Sequence, residues 1–184
     1  YSEYNKVAAN IIASDSGNWF NTFVIDKGSS DGIAVDMNVI AGSGLVGIVT
    51  EVGPDYARVR SIIDDASNVS AMMLSTSDLC VVEGSLELIA DGRLKFERLP
   101  NNDNEIEVGE QVVTSHVSDR FVQGLFIGYV SEIEVDSNNL TRSGYITPAV
   151  DFAKLQEVLV ITTTKDDLVN ARSEEAATDT DKGE

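Results

Sequence analysis

Cysteine and histidine are nearly absent from this 184-residue chain. The single cysteine, Cys80, excludes an intramolecular disulfide and a metal site built from several cysteines. Its neighbours Leu79 and Val81 are apolar, so we expect Cys80 to be a small buried side chain. The lack of disulfides is typical of cytoplasmic proteins, but exported bacterial domains also lack them. Cysteine usage therefore leaves the cellular compartment open.

Basic residues are also scarce. The chain has 13 Lys and Arg against 31 Asp and Glu, which gives a formal net charge of −18. This balance excludes nucleic acid as a partner, because phosphate backbones are bound by Lys and Arg. It also argues against docking on anionic lipid. A basic protein surface remains compatible, and the net charge would accelerate such an encounter.

Long apolar runs are missing as well. No segment approaches the roughly 20 residues that cross a bilayer, and no signal peptide is recognisable. The chain begins at Tyr1 rather than Met, as expected of a fragment or a processed form, so the full-length protein can still carry an anchor. The hydrophobic content of 42% is sufficient for folded cores.

One strand–turn–strand pattern occurs twice. Residues 32–52 are repeated, with changes, in residues 106–133. The equivalent pairs are Ile40 and Val113, Gly44 and Gly124, Gly47 and Gly128, and Glu51 and Glu132. The sequence separation between equivalent residues is larger for the three later pairs than for Ile40 and Val113, so the second copy has the longer loop between its strands. A weak internal repeat of this kind predicts two related small β-domains.

Short apolar segments separated by turn residues predict an all-β chain without a convincing amphipathic helix. Two small β-barrel domains account for the repeat better than one large sandwich. We expect the first domain at 7–66 and the second at 67–144. Because a small barrel needs a closed ring of strands, a strand from about 145–163 is expected to complete the first domain. Residues 164–184 lose aromatic side chains and predict a disordered acidic tail.

Predicted strands and turns follow this pattern along the chain. The strands are expected at 7–13, 19–25, 37–41, 45–52, 57–63, 69–74, 79–83, 86–89, 94–99, in the second repeat copy, at 140–146 and at 155–161, with one short helical turn at 152–158.

Gly42, Gly44 and Gly47 match the dinucleotide-binding pattern G-x-G-x-x-G. That function requires a helix to follow, so that its N-terminus meets the pyrophosphate. Here the β-rich run 48–52 and Pro54 follow instead. We therefore interpret Gly44, Gly47, Gly124 and Gly128 as structural hairpin positions and expect no cofactor site.

His116 lies between Ser115 and Asp119, but a serine-protease triad must converge in space rather than in sequence. No glycine-rich serine loop follows His116, and the fragment Asp15-Ser16-Gly17 precedes it. We expect no catalytic residue. A degenerate serine hydrolase with two barrels remains the alternative from the enzyme class.

Acidic clusters occur at 64–65, 101–107 and 136–139. None has the spacing of a calcium loop, so we expect no metal site. Trp19 and Phe20, with Tyr4, are compatible with a platform for wall carbohydrate, although aromatic residues closing a small β-core are the more ordinary interpretation.

Several blocks of the sequence resemble one family in order and spacing, from about Val7 to Ile161. The family is that of the rod shape-determining protein MreC. The resemblance is carried by Asn18-Trp19-Phe20, Phe23 to Gly28, Gly32, Met37 to Ile40, Gly44-Leu45-Val46-Gly47, Arg58-Val59, Glu97, Leu99-Pro100, Ile106, Val108-Gly109-Glu110, Val112 to Ser115, Phe121, Gly124-Leu125, Ile127-Gly128, Val130, Leu155 and Glu157 to Ile161. One departure is the segment His116 to Asp119, which replaces a glycine-rich turn and affects the shape of that loop.

The resemblance implies a protein of the cell membrane with a short cytoplasmic end, one transmembrane helix, a coiled coil and two β-barrel domains outside the cytoplasm. This chain resembles the two barrels without the anchor and coiled coil. The family's barrels are similar in architecture to chymotrypsin-like proteases but lack the protease triad. The family's role is scaffolding: it self-associates and holds the lateral wall-elongation machinery, including MreD and a class B penicillin-binding protein.

We therefore expect a non-enzymatic extracellular scaffold that organises peptidoglycan synthesis and maintains cell shape. Its partners would be further copies of itself, through edge strands and the missing coiled coil, together with the proteins of the elongation complex. Trp19, Phe20, His116 and Phe121 are the candidate surface residues. The alternatives are the degenerate hydrolase and a wall-carbohydrate binding domain.

Overall fold

A computed structural model describes residues 4–15, 17, 19–42 and 44–180. Twelve strands form the framework of this part of the chain. Their bounds are β1 Lys6–Ser14, β2 Thr22–Ile25, β3 Asn38–Ala41, β4 Gly44–Val52, β5 Ala57–Ser61, β6 Asn68–Met73, β7 Leu79–Glu83, β8 Leu94–Pro100, β9 Gln111–Thr114, β10 Phe126–Val135, β11 Thr141–Pro148 and β12 Glu157–Ile161. The predicted all-β class is confirmed.

Helical segments are few among the described residues. Helix α1 spans Leu86–Ile89, helix α2 spans Lys165–Thr180, and a single 3-10 turn lies at Ser29–Asp31. Within the described residues, none of these helices combines the length and the apolar character needed to cross a membrane.

Six strands form a closed ring in the order β1-β2-β5-β4-β3-β12 and back to β1. β12 lies between β1 and β3 and is antiparallel to both, with Val160 beside Val7 on one side and beside Val39 on the other. The alternating burial of β5 and β12 places one face of each strand inside the ring. This ring is the first barrel.

A second closed ring has the order β6-β7-β8-β11-β10-β9 and back to β6. β11 belongs to this ring and continues to Pro148, four residues beyond the expected boundary at 144. The two copies of the sequence repeat correspond to β3 with β4 in the first barrel and to β9 with β10 in the second. Both pairs are antiparallel and both contain a register shift.

The barrels meet where the two repeat copies come together. Phe126 at the start of β10 pairs in parallel with Gly44 at the start of β4. Buried apolar side chains from both rings form one contiguous core, which includes Phe23 and Ile25 of the first barrel and Phe96 and Leu125 of the second. Ser43, in the predicted turn before β4, lies outside the described residues.

Three local predictions need correction. Residues 86–89 form helix α1 rather than a strand, because the Ser85 hydroxyl caps the helix by accepting a hydrogen bond from the Leu88 amide. Trp19 and Phe20 precede β2 instead of belonging to it. The tail was expected to be disordered, but 165–180 are helical, and 181–184 lie outside the described residues.

Ring closure also changes the expectation of self-association through edge strands. A strand inside a closed barrel is hydrogen-bonded on both sides and offers no free edge. The outer half of β10, beyond Val130, is an exception, because it pairs with β11 on one side only. Its pairing with β9 ends at Tyr129, and Val130 makes the last backbone hydrogen bonds on that side.

Candidate protein-binding surface

The hairpin glycines have two different structural roles. A side chain at Gly47 would collide with the Arg60 carbonyl oxygen, and one at Gly128 would collide with the Thr147 carbonyl oxygen. These equivalent positions of the repeat allow a neighbouring strand to approach closely. Gly124 instead has a left-handed backbone with φ of +86° and open space around it. At Gly44, a Cβ atom would lie 2.5 Å from the Val150 side chain.

The loop between β9 and β10 is fixed at its base by Thr114. The buried Thr114 hydroxyl donates to the Val122 carbonyl oxygen at 2.7 Å and accepts from the Leu125 amide at 2.8 Å. The amide of Gly124 also donates to the Thr114 carbonyl oxygen at 3.0 Å. Because these bonds are shielded from water, they hold the base of the loop strongly.

Asn38 of the first barrel holds the same loop from the other side. Its amide nitrogen donates to the Arg120 carbonyl oxygen at 3.0 Å, and its side-chain oxygen accepts from the Val122 amide at 2.9 Å. Asn38 is 1% exposed, so this contact is a buried polar link between the barrels. Sequence reasoning did not identify it. An isolated Asn at the start of an apolar strand was the available signal, since a buried amide requires partners.

Phe121, one of the four candidate surface residues, is buried. It is 5% exposed and belongs to the contiguous core. The Ser118 hydroxyl accepts a hydrogen bond from the Phe121 amide at 3.1 Å and turns the loop inward. The loop exposes His116 and Val117 instead. Phe121 therefore does not belong to the candidate surface, because its aromatic side chain anchors the loop in the core.

Trp19 and Phe20 are half-buried and pack against the core. The Phe20 ring meets the Phe23 ring edge to face at 6.4 Å, and the Phe20 amide donates to the Phe152 carbonyl oxygen at 3.1 Å. Trp19 lines a cleft of about 300 Å³ together with residues that include Ile89 and Pro148. The second barrel thus contributes to the cleft beside Trp19.

His116 lines a different cleft, of about 460 Å³, beside helix α2. The Lys165 ammonium group of α2 donates to the His116 carbonyl oxygen at 3.2 Å, and Leu168 packs against the core. The cleft has apolar walls and three basic or imidazole groups; its lining is Tyr4, Met72, Leu74, Val113, His116, Gln123, Gly124, Lys165, Leu168, Val169 and Arg172. Trp19 and His116 therefore belong to two separate candidate surfaces.

The geometry gives no support to a serine hydrolase. A triad requires a hydrogen bond between the histidine ring and the nucleophile. Across the described residues, the His116 ring has no such bond to a serine or an aspartate, and the Ser115 hydroxyl is buried without a partner. Ser16 of the Asp15–Gly17 fragment lies outside the described residues.

A polar network that the sequence did not reveal holds residues 100–104. The buried Arg142 guanidinium donates to the Pro100 carbonyl oxygen at 2.7 and 3.0 Å and to the Asn104 carbonyl oxygen at 2.9 Å. Asp78 accepts from the side-chain amides of Asn102 and Asn104 at 3.0 and 3.1 Å. Burial opposes its ionisation, but these bonds, the Thr76 hydroxyl and the Arg142 charge together lower the pKa of Asp78.

Comparison with known proteins identifies the family. The pattern of the family described as rod shape-determining protein MreC, barrel core, matches residues 11–162. The cell shape-determining protein MreC of Listeria monocytogenes is 33% identical over 162 residues, which cover 86% of this chain and 54% of that protein. The Bacillus subtilis protein of the same name is 30% identical over 168 residues, which cover 86% and 57%. The chain thus spans about half the length of these curated relatives.

Solved structures have the same architecture. MreC from Listeria monocytogenes superposes with a TM-score of 0.78 at 33% identity and covers 86% of this chain and 76% of that one. A second neighbour comes from a complex between the penicillin-binding protein PBP2 and MreC of Helicobacter pylori. The superposition with this neighbour has a TM-score of 0.63 at 15% identity, and it covers 86% of this chain and all of the neighbour's chain. The latter likeness concerns the fold alone.

The family match extends through both barrels and ends one residue beyond β12, the strand that closes the first one. The family is structural, named for determining cell shape, and is not a family of enzymes. This chain belongs to the MreC family, and its residues 11–162 are the barrel core of that family.

Proposed function

We propose that this chain is the extracellular, non-enzymatic scaffold region of a single-pass membrane protein. In this role it positions peptidoglycan-synthesising proteins along the lateral wall and so maintains cell shape. Its partners would be a class B penicillin-binding protein, MreD and further copies of the same protein. Family membership carries the proposal, since the barrel core makes up most of this chain.

Two further observations support a role in protein binding. The complex between PBP2 and MreC of Helicobacter pylori provides a precedent for a penicillin-binding partner of this fold. In addition, the clefts beside Trp19 and His116 are lined by both apolar and polar residues, a composition that is usual for a recognition surface. The link through Asn38 supports a rigid pair of barrels, and rigidity reduces the entropic cost of binding.

Biolayer interferometry against the extracellular domain of the same organism's elongation-specific class B penicillin-binding protein tests this function. We expect saturable binding that Trp19→Ala or His116→Ala with Val117→Ser weakens at least about fivefold, which corresponds to about 1 kcal/mol. Ile12→Ser is the matched control, because Ile12 is an exposed apolar residue on β1 that lines neither cleft. Absence of binding up to about 100 μM by a folded chain would contradict the proposal, since that is far weaker than a specific interface.

A further inference from the structure

The outer half of β10 has one unpaired side. Toward β9, the last backbone bonds join Val130 to Gly109 and Glu110, at 2.7 and 2.9 Å. Beyond them Ser131–Val135, which we name the β10 edge, pairs with β11 alone. The Asp136 amide donates to the Thr141 carbonyl oxygen. Because backbone groups alternate in direction along a strand, those of Glu134 and Glu132 also point toward β11. Those of Ile133 and Val135 point away, and nothing in the described part of the chain bonds to them.

Open clefts adjoin this edge on both faces of the strand. One, of about 450 Å³, lies between the loop 101–107 and the side chains of Ile133 and Val135. The other, of about 460 Å³, lies between Val108 and residues 131–134. The Ser131 hydroxyl at the start of the edge is buried and has no hydrogen-bond partner among the described residues. An extended segment can therefore reach the edge without displacing a paired strand.

Side chains alternate along the edge. Ile133 and Val135 lie on one face, and Val135 is 49% exposed. Glu132 and Glu134 lie on the other. Glu132 pairs with Arg93 at 3.3 Å, whereas Glu134 has no cation within 4 Å among the described residues. Across the clefts, Asp103, Glu105 and Glu107 add further negative charge, and Arg142 is engaged by backbone oxygens.

We propose that the β10 edge binds an extended cationic segment of a partner protein by antiparallel strand addition. Its backbone would exchange hydrogen bonds with Ile133 and Val135. Residues opposite these two would be apolar, and the residues opposite Glu132 and Glu134 would be Lys or Arg. A second copy of this chain is the poorer occupant, because two antiparallel β10 edges would place their glutamates opposite one another.

The proposal goes beyond the scaffold function by specifying a site and the chemistry of the segment it accepts. Its biological setting rests on that function, but its test does not use a penicillin-binding protein. If the peptide fails to bind while the penicillin-binding protein binds, this inference alone is refuted. If the penicillin-binding protein fails and the peptide binds, the scaffold proposal alone is refuted.

The probe is a labelled, end-blocked nonapeptide in which lysine alternates with valine, titrated by fluorescence anisotropy into the 184-residue chain at low salt. We expect binding that is weakened at least about tenfold when every valine is N-methylated, because those amides face the edge. N-methylation of every lysine at its backbone nitrogen removes the N–H groups that point away from the edge. This peptide is the matched control, and we expect little loss of affinity. A valine–glutamate peptide should not bind. Amide NMR shifts in the 15N-labelled chain should centre on 131–135 and 105–109.

Two protein variants complete the test. Val135→Pro blocks the edge without removing a ladder bond, since the Val135 amide is unpaired, and should abolish binding. Glu134→Gln should weaken it several-fold, whereas Glu157→Gln on the exposed side of β12 should not. The proposal is overturned if both methylated peptides bind equally, if the glutamate peptide binds as well, if the shifts lie elsewhere, or if no binding occurs up to about 1 mM, a limit of weak association. Self-association of the chain that Val135→Pro abolishes would also overturn it, in favour of a second copy as the occupant.

Discussion

At the scale of single residues, two glycines permit strand contacts that any other residue would prevent. Gly47 lies against the backbone of Arg60 and Ser61, with Ser61 Cα 2.7 Å from the position of a Cβ atom. Gly128 lies in the same way against Thr147 and Pro148. Because the obstructing atoms belong to the backbone of a neighbouring strand, they cannot move aside as a flexible side chain would.

We expect Gly47→Ala and Gly128→Ala each to lower the free energy of unfolding by about 3 kcal/mol or more, since the added methyl group overpacks the sheet. Urea denaturation followed by circular dichroism measures this loss. Gly92→Asn is the control, because Gly92 has φ of +71° in open space and Asn tolerates that conformation. Equal stability of all three variants would contradict the assigned roles.

Asp78 is a further single residue that stabilises the fold, because its carboxylate holds Asn102 and Asn104 in the loop after β8. The pKa of Asp78 is lowered from 3.8 in the folded chain. A carboxyl group with a lowered pKa stabilises the fold above its unfolded pKa, and this contribution is lost as the pH falls through the folded pKa. Asp78 therefore stabilises the protein at neutral pH but not in strong acid.

Asp78→Asn is expected to lower the free energy of unfolding by about 1 kcal/mol at pH 7, because two hydrogen bonds to a charged acceptor are weakened. The difference from the wild type should shrink as the pH falls below 3.8, the ordinary value for this side chain. Urea titrations at a series of pH values between 7 and 2 measure both quantities. A difference that is independent of pH would show that the charge of Asp78 has no role in holding the loop.

At the scale of secondary-structure elements, helix α2 begins with a reciprocal cap. The Thr164 hydroxyl accepts from the Asp167 amide at 3.2 Å, and the Asp167 carboxylate accepts from the Thr164 amide at 2.9 Å. The backbone and side-chain bonds to Thr164 lower the pKa of Asp167. Asp166 and Asp167 also lie in the first turn, where negative charge is favourable. These local bonds explain why an acidic, weakly apolar segment forms a helix.

Thr164→Ala should destabilise α2 by about 1 kcal/mol without unfolding the barrels. Amide hydrogen exchange should become several-fold faster in the first turns of α2 and remain unchanged in β6 and β9. Ser173→Ala is the matched control, because it removes only a bond from the Ser173 hydroxyl to the Val169 carbonyl oxygen within the helix. Faster exchange throughout the barrels would mean that α2 is required for the whole fold.

At the scale of the whole molecule, the last strand completes the first barrel. β12 supplies hydrogen bonds to β1 and β3 at once, and its Val158, Val160 and Ile161 are buried in the core. Each of these side chains contributes about 2 kcal/mol through burial. Their loss, together with two opened sheet edges, is comparable with the 5–15 kcal/mol that typically stabilises a domain.

Two truncations test this role. A chain ending at Thr164 should retain dispersed amide NMR signals and cooperative unfolding. A chain ending at Gln156 should lose the signals of the first barrel, because β1 and β3 would be left unpaired. If the shorter chain keeps a folded first barrel, ring closure by β12 is not required for its stability.

The sequence by itself determined the class of the fold. Alternating apolar residues in 57–61 and the glycine-rich turns gave strands at nearly the observed positions, because a strand with one buried face imposes a two-residue period. The order and spacing of several blocks from about Val7 to Ile161 indicated the family, whose pattern matches residues 11–162. The caps of α1 and α2 were also present as local patterns, at Ser85 and at Thr164 with Asp167, although they were overlooked.

Only the tertiary structure decided which exposed groups remain available. Phe121 is an apolar loop residue in the sequence, but the Ser118 turn and the link to Asn38 of the other barrel fix its loop with the ring inside the core. The free edge at Ile133 and Val135 is likewise invisible in the sequence, where β10 looks like any other strand. Both depend on contacts between residues far apart in the chain, and such contacts form only when the two rings close and pack together.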